Sequence, residues 1–365
     1  MLSSTLPRLR CPNCVDGKSG ALALKETRKK AAADILTGTL ACAECASEFP
    51  ILGGVALLVG DLEAYLQYHV KGISALVADS EIPEDYLPAY LEAKSAIETG
   101  HTEEDLESQR VNALYYMNHY VSAGNARKNP WWRPKKGFSP EIDRLVKNFW
   151  DHGPFAQIAA WTRTSKNLDV VELGCGSGGL ARALGKAAGS FLGIDTAFAS
   201  IALARHLNVG APYSLSIRFP QDLYNGPLTG QVAPPKPLKG GRVDFVVGEA
   251  ENPPVSPGQF DLCVALNIID MVEEPADLPR TQHSLLKEGG TAIQSSPYIW
   301  HEGVARHLRE SLPAKLKSSS AAVEYLYECS GFKIVKKVEH IPWLFLKHFR
   351  QIELYSVHLF AAKRT

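Results

Sequence analysis

Three groups of residues have the types and spacing to do chemistry. In the first, Glu172 stands two residues before Gly174 in a run that continues with Cys175, Gly176 and Gly178, and Asp195 lies about 20 residues further on. Glycines at alternate positions let a backbone approach a ligand where a Cβ would obstruct it. Gly174, Gly176 and Gly179 satisfy G-x-G-x-x-G, and with Asp195 they allow a nicotinamide or flavin dinucleotide. A carboxylate at Glu172 would repel a pyrophosphate and would accept hydrogen bonds from a cationic, amino-acid-like group. The competing reading, a ligand with such an end, is therefore favoured.

The second group is two C-x-x-C pairs, Cys11 with Cys14 and Cys42 with Cys45. Each pair can place two thiolates on one ion, and together they make a tetrahedral sulfur site that suits Zn2+. Such a closed site holds a small domain together and is structural; a thiol redox pair is the alternative. The third group is polar side chains on the acceptor side of a pocket: Asn267 and Asp270 after an apolar strand, His119 in an aromatic helix, and His301 after SSPYIW, where Tyr298 and Trp300 would help to wall the site. They are the candidate bases and positioning groups. Cys175 and Cys263 read as packing residues.

These residues need elements to hold them. The apolar run Leu168 to Leu173, the glycine turn and the pattern Ala181, Ala183, Leu184, Ala187, Ala188 read as strand, turn and helix. Further strands are expected at FLGID ending in Asp195, at 243–248, at FDLCVAL and at TAIQSS. The run FKIVKKVEH, a linking segment IPWLFLKHFRQ and a final strand ELYSVHLFAAKR complete the sheet. A helix is expected over Glu273 to Lys287, stopped by Gly289 and Gly290. Alternation of strand and helix gives an α/β, doubly wound, seven-stranded Rossmann-like sheet. Residues 1–60 are expected as a β-rich zinc ribbon, 61–160 as a helical cap or linker, and 161–365 as the sheet domain with a surface insertion at 209–242. In the middle segment Asp61 is a candidate N-cap, and Pro83 and Pro88 break the chain. Tyr116, His119 and Tyr120 share one helix face, as a core stripe or as a lid over the ligand site. KNPWWRPKKGFSP at 128–140 is either a proline-bounded linker or a base-stacking segment.

The chain has 365 residues, 45% hydrophobic and 21% charged, with a formal net charge of zero. Nothing in that balance steers it toward nucleic acid or an anionic membrane. No secretory leader or membrane span is read, so a cytoplasmic location is expected.

The E-x-G-x-G-x-G run at 172–178 resembles motif I of class I S-adenosylmethionine-dependent methyltransferases, of the type 11-like kind. The resemblance implies that S-adenosyl-L-methionine is the cofactor, that Asp195 holds the ribose hydroxyls, and that Glu249 and the Ala250 N–H contact the adenine. Asn267 belongs to the same donor pocket. Residues 8–60 resemble the zinc ribbon of the small activator subunit of tRNA and protein methyltransferases, here fused to its partner. The stretch ALNIID…LLKEGG…SSPYIW partly resembles enzymes that N-methylate mercaptohistidine. The expected function is methyl transfer to an N, O or S nucleophile of a small molecule. Alternatives are a tRNA, rRNA or protein acceptor docked through the ribbon, and a scaffold that binds the donor without turnover.

Overall fold

The computed structural model describes residues 1–14, 20–98, 115–116, 118–120, 138–210, 216–218, 229–231, 238, 242–348 and 351–365. The chain opens with a four-stranded antiparallel sheet in the order β1 (Leu22–Ala31), β2 (Asp34–Cys42), β3 (Glu48–Leu52) and β4 (Val55–Ala56). The excursion between the two cysteine pairs is largely the β1–β2 hairpin, whose basic run Arg28, Lys29 and Lys30 is exposed.

Helices α1 (Leu62–Tyr68), α2 (Val70–Ser74) and α3 (Leu87–Glu98) follow. Asp61 caps α1 by accepting the Ala64 N–H at 3.0 Å. Pro88 does not break the chain. It sits in the first turn of α3, where its missing N–H leaves no helical bond unmade. The residues described at 115–120 are helical, and the Trp131 segment lies outside the described residues. Helices α4 (Pro140–His152) and α5 (Pro154–Thr162) then deliver the chain to the main sheet.

That sheet contains β5 (Leu168–Leu173), β6 (Ala188–Asp195), β9 (Val243–Val247), β10 (Phe260–Leu266), β11 (Leu286–Ser296), β12 (Phe332–His348) and β13 (Gln351–Arg364). Two short strands, β7 (Ser216–Arg218) and β8 (Thr229–Gln231), pair within the insertion. The order is β12-β13-β11-β10-β5-β6-β9, with β13 antiparallel to both neighbours. Connecting helices are α6 (Leu180–Leu184), α7 (Phe198–Val209), α8 (Asp277–Leu285), α9 (Glu302–Ser311) and α10 (Ser319–Cys329). This is the expected doubly wound α/β sheet.

Alternate residues along the strands feed two cores, as the period of two requires. Val170, Leu262, Val264 and Leu359 face the core that contains α1, α2, α4, α5 and α7. Val171, Cys263, Ala265 and Phe360 face the other, which contains α8 and α10. Much of the amino-terminal ribbon belongs to this second core, where Leu9, Leu40, Phe49 and Ile51 cluster with Leu192, Ile194 and Val246, while Leu52, Val55 and Leu57 join the first. A parallel sheet needs both faces covered, and beside β9 the ribbon provides part of that cover. Leu57 forms a parallel bridge to Val247, and the Leu58 N–H donates to the Val247 carbonyl at 3.1 Å. Arg205 on α7 pairs with Asp244 on β9 and, at 2.6 Å, with Asp34 on β2. Asp244 also accepts from the Leu2 N–H and the Thr5 hydroxyl, each at 2.7 Å.

Three further segments depart from the sequence expectation. The helix expected through Ala187 and Ala188 ends at Leu184, and Ala188 opens β6. The helix expected over Glu273 to Lys287 occupies Asp277–Leu285, and Gly289 and Gly290 lie within β11. The segment IPWLFLKHFRQ is not a link: Ile341 to Leu346 continue β12 and pair in register with β13. The long hairpin stands on the cross-strand pairing of its apolar and aromatic side chains.

Candidate functional site

A cavity of about 320 Å³ lies at the carboxyl ends of β5, β6 and β10, the edge where open α/β sheets bind ligands. Glu172, Gly174, Cys175, Gly176, Asp195, Asn267, Asp270 and His119 all line it. Residues from the two ends of the sequence motif and from the middle segment therefore meet in one place.

Glu172 is 3% exposed, and its Oε2 is buried without a hydrogen-bond partner. Burial, reinforced by the Asp195 charge, holds its carboxyl well above the usual range. Buried polar atoms are almost always hydrogen-bonded, so an orphaned carboxylate oxygen on a cavity wall fits a donor group supplied by a ligand. Asp195 Oδ2 accepts the Gly176 N–H at 2.8 Å, and Oδ1 accepts the Ala197 N–H at 2.9 Å. Burial raises its pKa while those backbone bonds oppose the shift.

The glycines do different work. Gly174 has φ +68, and a Cβ there would lie 2.4 Å from Ile268 Cγ2. Gly176 has φ +51 and faces Tyr115 and His119 at ordinary contact distance. Gly178 does not line the cavity: the Phe245 ring fills the space where its Cβ would be, at 2.4 Å. Cys175 is buried, and burial pushes its thiol well up, which suits a packing role.

His119 sits against the glycine turn. Its Nδ1 lies 3.0 Å from the Ser177 hydroxyl and accepts the Gly179 N–H at 3.3 Å. Burial pushes its pKa down to about 3. With Nδ1 accepting from Gly179, the neutral ring carries its proton on Nε2, which can donate a hydrogen bond. Tyr120 donates to the Ser177 carbonyl and accepts from Asn208 at 2.7 Å, while Tyr116 is buried in the core. The helix face is part core stripe and part cover over the turn.

Just after β10, Asn267 has φ +56. Its Oδ1 accepts from the Ser295 hydroxyl at 2.9 Å. Asp270 is 2% exposed; Oδ2 accepts the Ile299 N–H at 2.7 Å, and Oδ1 is buried without a partner. His301, Tyr298 and Trp300 do not line this cavity; Pro297 and Ile299 from the same segment do. His301 is the exposed N-cap of α9, and Tyr298 turns to His358, with Oη 2.7 Å from Nδ1. Glu249 is exposed, and neither it nor Ala250 reaches the cavity.

Phe155, Trp343, Phe345 and Tyr355 complete the wall and were missed in the sequence. Trp343 and Phe345 are two apart on β12, so they share a face, and Tyr355 pairs with Trp343 in register. The aromatic alternation of IPWLFL was the available signal, hidden by reading the segment as a link.

In the ribbon, the thiol sulfurs of Cys11, Cys14, Cys42 and Cys45 all lie within 4.8 Å of one another. Cys11 to Cys45 and Cys14 to Cys42 are 3.5 Å apart. A tetrahedron of ~2.3 Å metal–sulfur bonds has edges of about 3.8 Å, so the four sulfurs fit a single ion.

Residues 171–294 match a family model described as a methyltransferase domain. The ubiquinone biosynthesis O-methyltransferase of Pseudomonas paraeruginosa is 28% identical over 179 residues, which cover 48% of this chain. The chain spans 61% of the length of that relative. Similar solved structures include magnesium protoporphyrin IX methyltransferase from Synechocystis PCC 6803 with bound SAM, at 15% identity, 70% and 97% coverage of this chain and that one, and TM-score 0.38. A chain of the complex containing the Haloferax volcanii Trm112 methyltransferase activator matches at 18% identity, 60% and 93% coverage, and TM-score 0.39. Among the described residues, no helix is long and apolar enough to cross a membrane.

Proposed function

We propose that the chain is an S-adenosyl-L-methionine-dependent methyltransferase acting on a small-molecule nucleophile. The observation that carries the reading is the orphaned, buried Glu172 oxygen, set in one cavity with the glycine turn and Asp195. Glu172 would hold the donor's ammonium group, Asp195 its ribose hydroxyls, and the Nε2–H of His119 is available to an anionic oxygen. The donor supplies an electrophilic methyl group on a sulfonium.

The protein's own contribution is alignment and exclusion of water, since proximity carries much of the rate of such a displacement. The aromatic wall keeps the acceptor side dry, and Asp270 is the group positioned to take a proton from an acceptor that carries one. A ring-lined acceptor side supports a small molecule, in keeping with the O-methyltransferase relative. The four-cysteine cluster would hold a structural zinc ion that fixes the ribbon against the sheet.

Calorimetric titration with S-adenosylhomocysteine, on protein assayed for zinc, tests the reading. Micromolar binding and one zinc per chain are expected. Absence of binding to folded, zinc-loaded protein, or micromolar binding of a nicotinamide dinucleotide instead, would overturn it.

A further inference from the structure

We propose that the acceptor side of the cavity takes a protonated amine carried on an apolar body, with Asp270 as its counter-ion; this rests on the methyl-donor reading above. Asp270 lines the cavity, is almost fully buried and spends one oxygen on the Ile299 N–H, while its other oxygen is buried without a partner. A buried carboxylate is costly unless it is paired and hydrogen-bonded, so the missing partner belongs to the ligand.

Charge selects the partner's class. Glu172, Asp195 and Asp270 are the acidic groups on the wall, and no lysine or arginine lines it among the described residues. A carboxylate or phosphate acceptor would meet repulsion there. A phenol could donate one hydrogen bond to Asp270 but would leave its charge uncompensated. An ammonium group supplies both the hydrogen bond and the charge.

The rings agree with a cation. Phe155 stands edge-on to Trp343 with centroids 5.5 Å apart at 76°, and Phe345 to Tyr355 at 5.5 Å and 87°. Mutually tilted rings present π-faces in several directions, an arrangement that attracts a cation once water is excluded. The mouth is apolar: Met271 and Ile299 line the cavity yet are 67% and 57% exposed. The ligand therefore has a basic nitrogen that enters and an apolar body that follows it.

In the reaction, the ammonium gives one proton to the Asp270 carboxylate, and the freed nitrogen lone pair forms the N–CH3 bond. The C–S bond breaks, its electron pair stays on sulfur as the thioether, and the product is the N-methylammonium ion. The Asp270 proton then passes to water, which restores the ion pair.

The test is calorimetric binding of 2-phenylethylamine and tryptamine to the full chain saturated with S-adenosylhomocysteine, against 4-ethylphenol and 3-phenylpropanoate as matched controls. The amines are expected to bind about tenfold or more tighter than the phenol, and the acid not at all. Asp270→Asn keeps an acceptor for the Ile299 N–H. It should lose about tenfold or more in amine affinity while S-adenosylhomocysteine affinity stays within about twofold. Phenol or acid binding as tight as the amines, no amine binding, or an Asp270→Asn protein with undiminished amine affinity would overturn the proposal. If S-adenosylhomocysteine itself does not bind, the methyl-donor reading fails. The same amine ranking, measured on the free protein, then decides the Asp270 assignment by itself.

Discussion

Asp195 Oδ2 accepts the backbone N–H of Gly176 at 2.8 Å, so the carboxylate at the end of β6 fixes the turn at the end of β5. The side chain assigned to the donor's hydroxyls therefore also shapes the loop beneath the donor. Asp195→Ala is expected to weaken S-adenosylhomocysteine binding by about 1.5–3 kcal/mol through loss of charged hydrogen bonds. Asp195→Asn, which keeps an acceptor for Gly176, should lose less. Calorimetry decides, and an unchanged affinity in the alanine variant removes Asp195 from the site.

Glu172 makes donor binding and stability depend on pH in opposite directions. Burial first, then the Asp195 charge, raises its pKa well above 4.5, so the folded state holds this proton more tightly than the unfolded chain. Its contribution to stability is full below the ordinary glutamate range and is lost as pH rises through the raised value. Glu172→Gln should therefore gain stability relative to the wild type as pH increases. The wild type should bind the cationic donor end better as the carboxylate ionises, a trend that the glutamine variant lacks. Urea melts and titrations from about pH 5 to about pH 9 read both.

The Phe245 ring fills the space that a side chain at Gly178 would need. Alanine there combines φ +76 with a Cβ 2.4 Å from the Phe245 ring. Overpacking of about 1–3 kcal/mol adds to about 1–2 kcal/mol for the left-handed backbone. Gly258→Ala has φ +67 and nothing within 4 Å, so it isolates the backbone cost. Equal destabilisation of the two variants in urea would refute the contact with Phe245.

Arg205 ties three layers of the molecule together through Asp34 and Asp244. Its side chain is 1% exposed, and removing one partner of a buried ion pair strands the others. Arg205→Ala is expected to cost about 3–5 kcal/mol in denaturant unfolding. Arg280→Ala, which breaks an exposed pair with Asp277, should cost less than about 1 kcal/mol.

Cys42→Ser is expected to abolish zinc retention, measured by elemental analysis. Because Leu40, Phe49 and Ile51 share a core with Leu192 and Val246, the loss should lower the melting of the whole chain in one shifted transition. A separate early transition with the main one unmoved would show that the ribbon melts alone.

Local order in the sequence determined a good deal. Strand alternation from Leu168 to Leu173, the glycine turn that follows and Asp195 at the next strand end are neighbours along the chain, and short-range backbone preferences suffice to build them. Each C-x-x-C pair is likewise a local turn that presents two thiols. Tertiary structure alone decided which distant groups join them. His301 and Glu249 follow strands of the sheet but are exposed and do not line the cavity. His119 enters because a middle-segment helix packs on Ser177 and Gly179. Trp343, Phe345 and Tyr355 enter because β12 and β13 continue pairing beyond the rest of the sheet. The ribbon covers a sheet face because Asp34, Asp244 and Arg205 meet there. A cavity forms where separate elements converge, and that convergence is set by packing and buried charge between residues far apart in the chain, which no local period records.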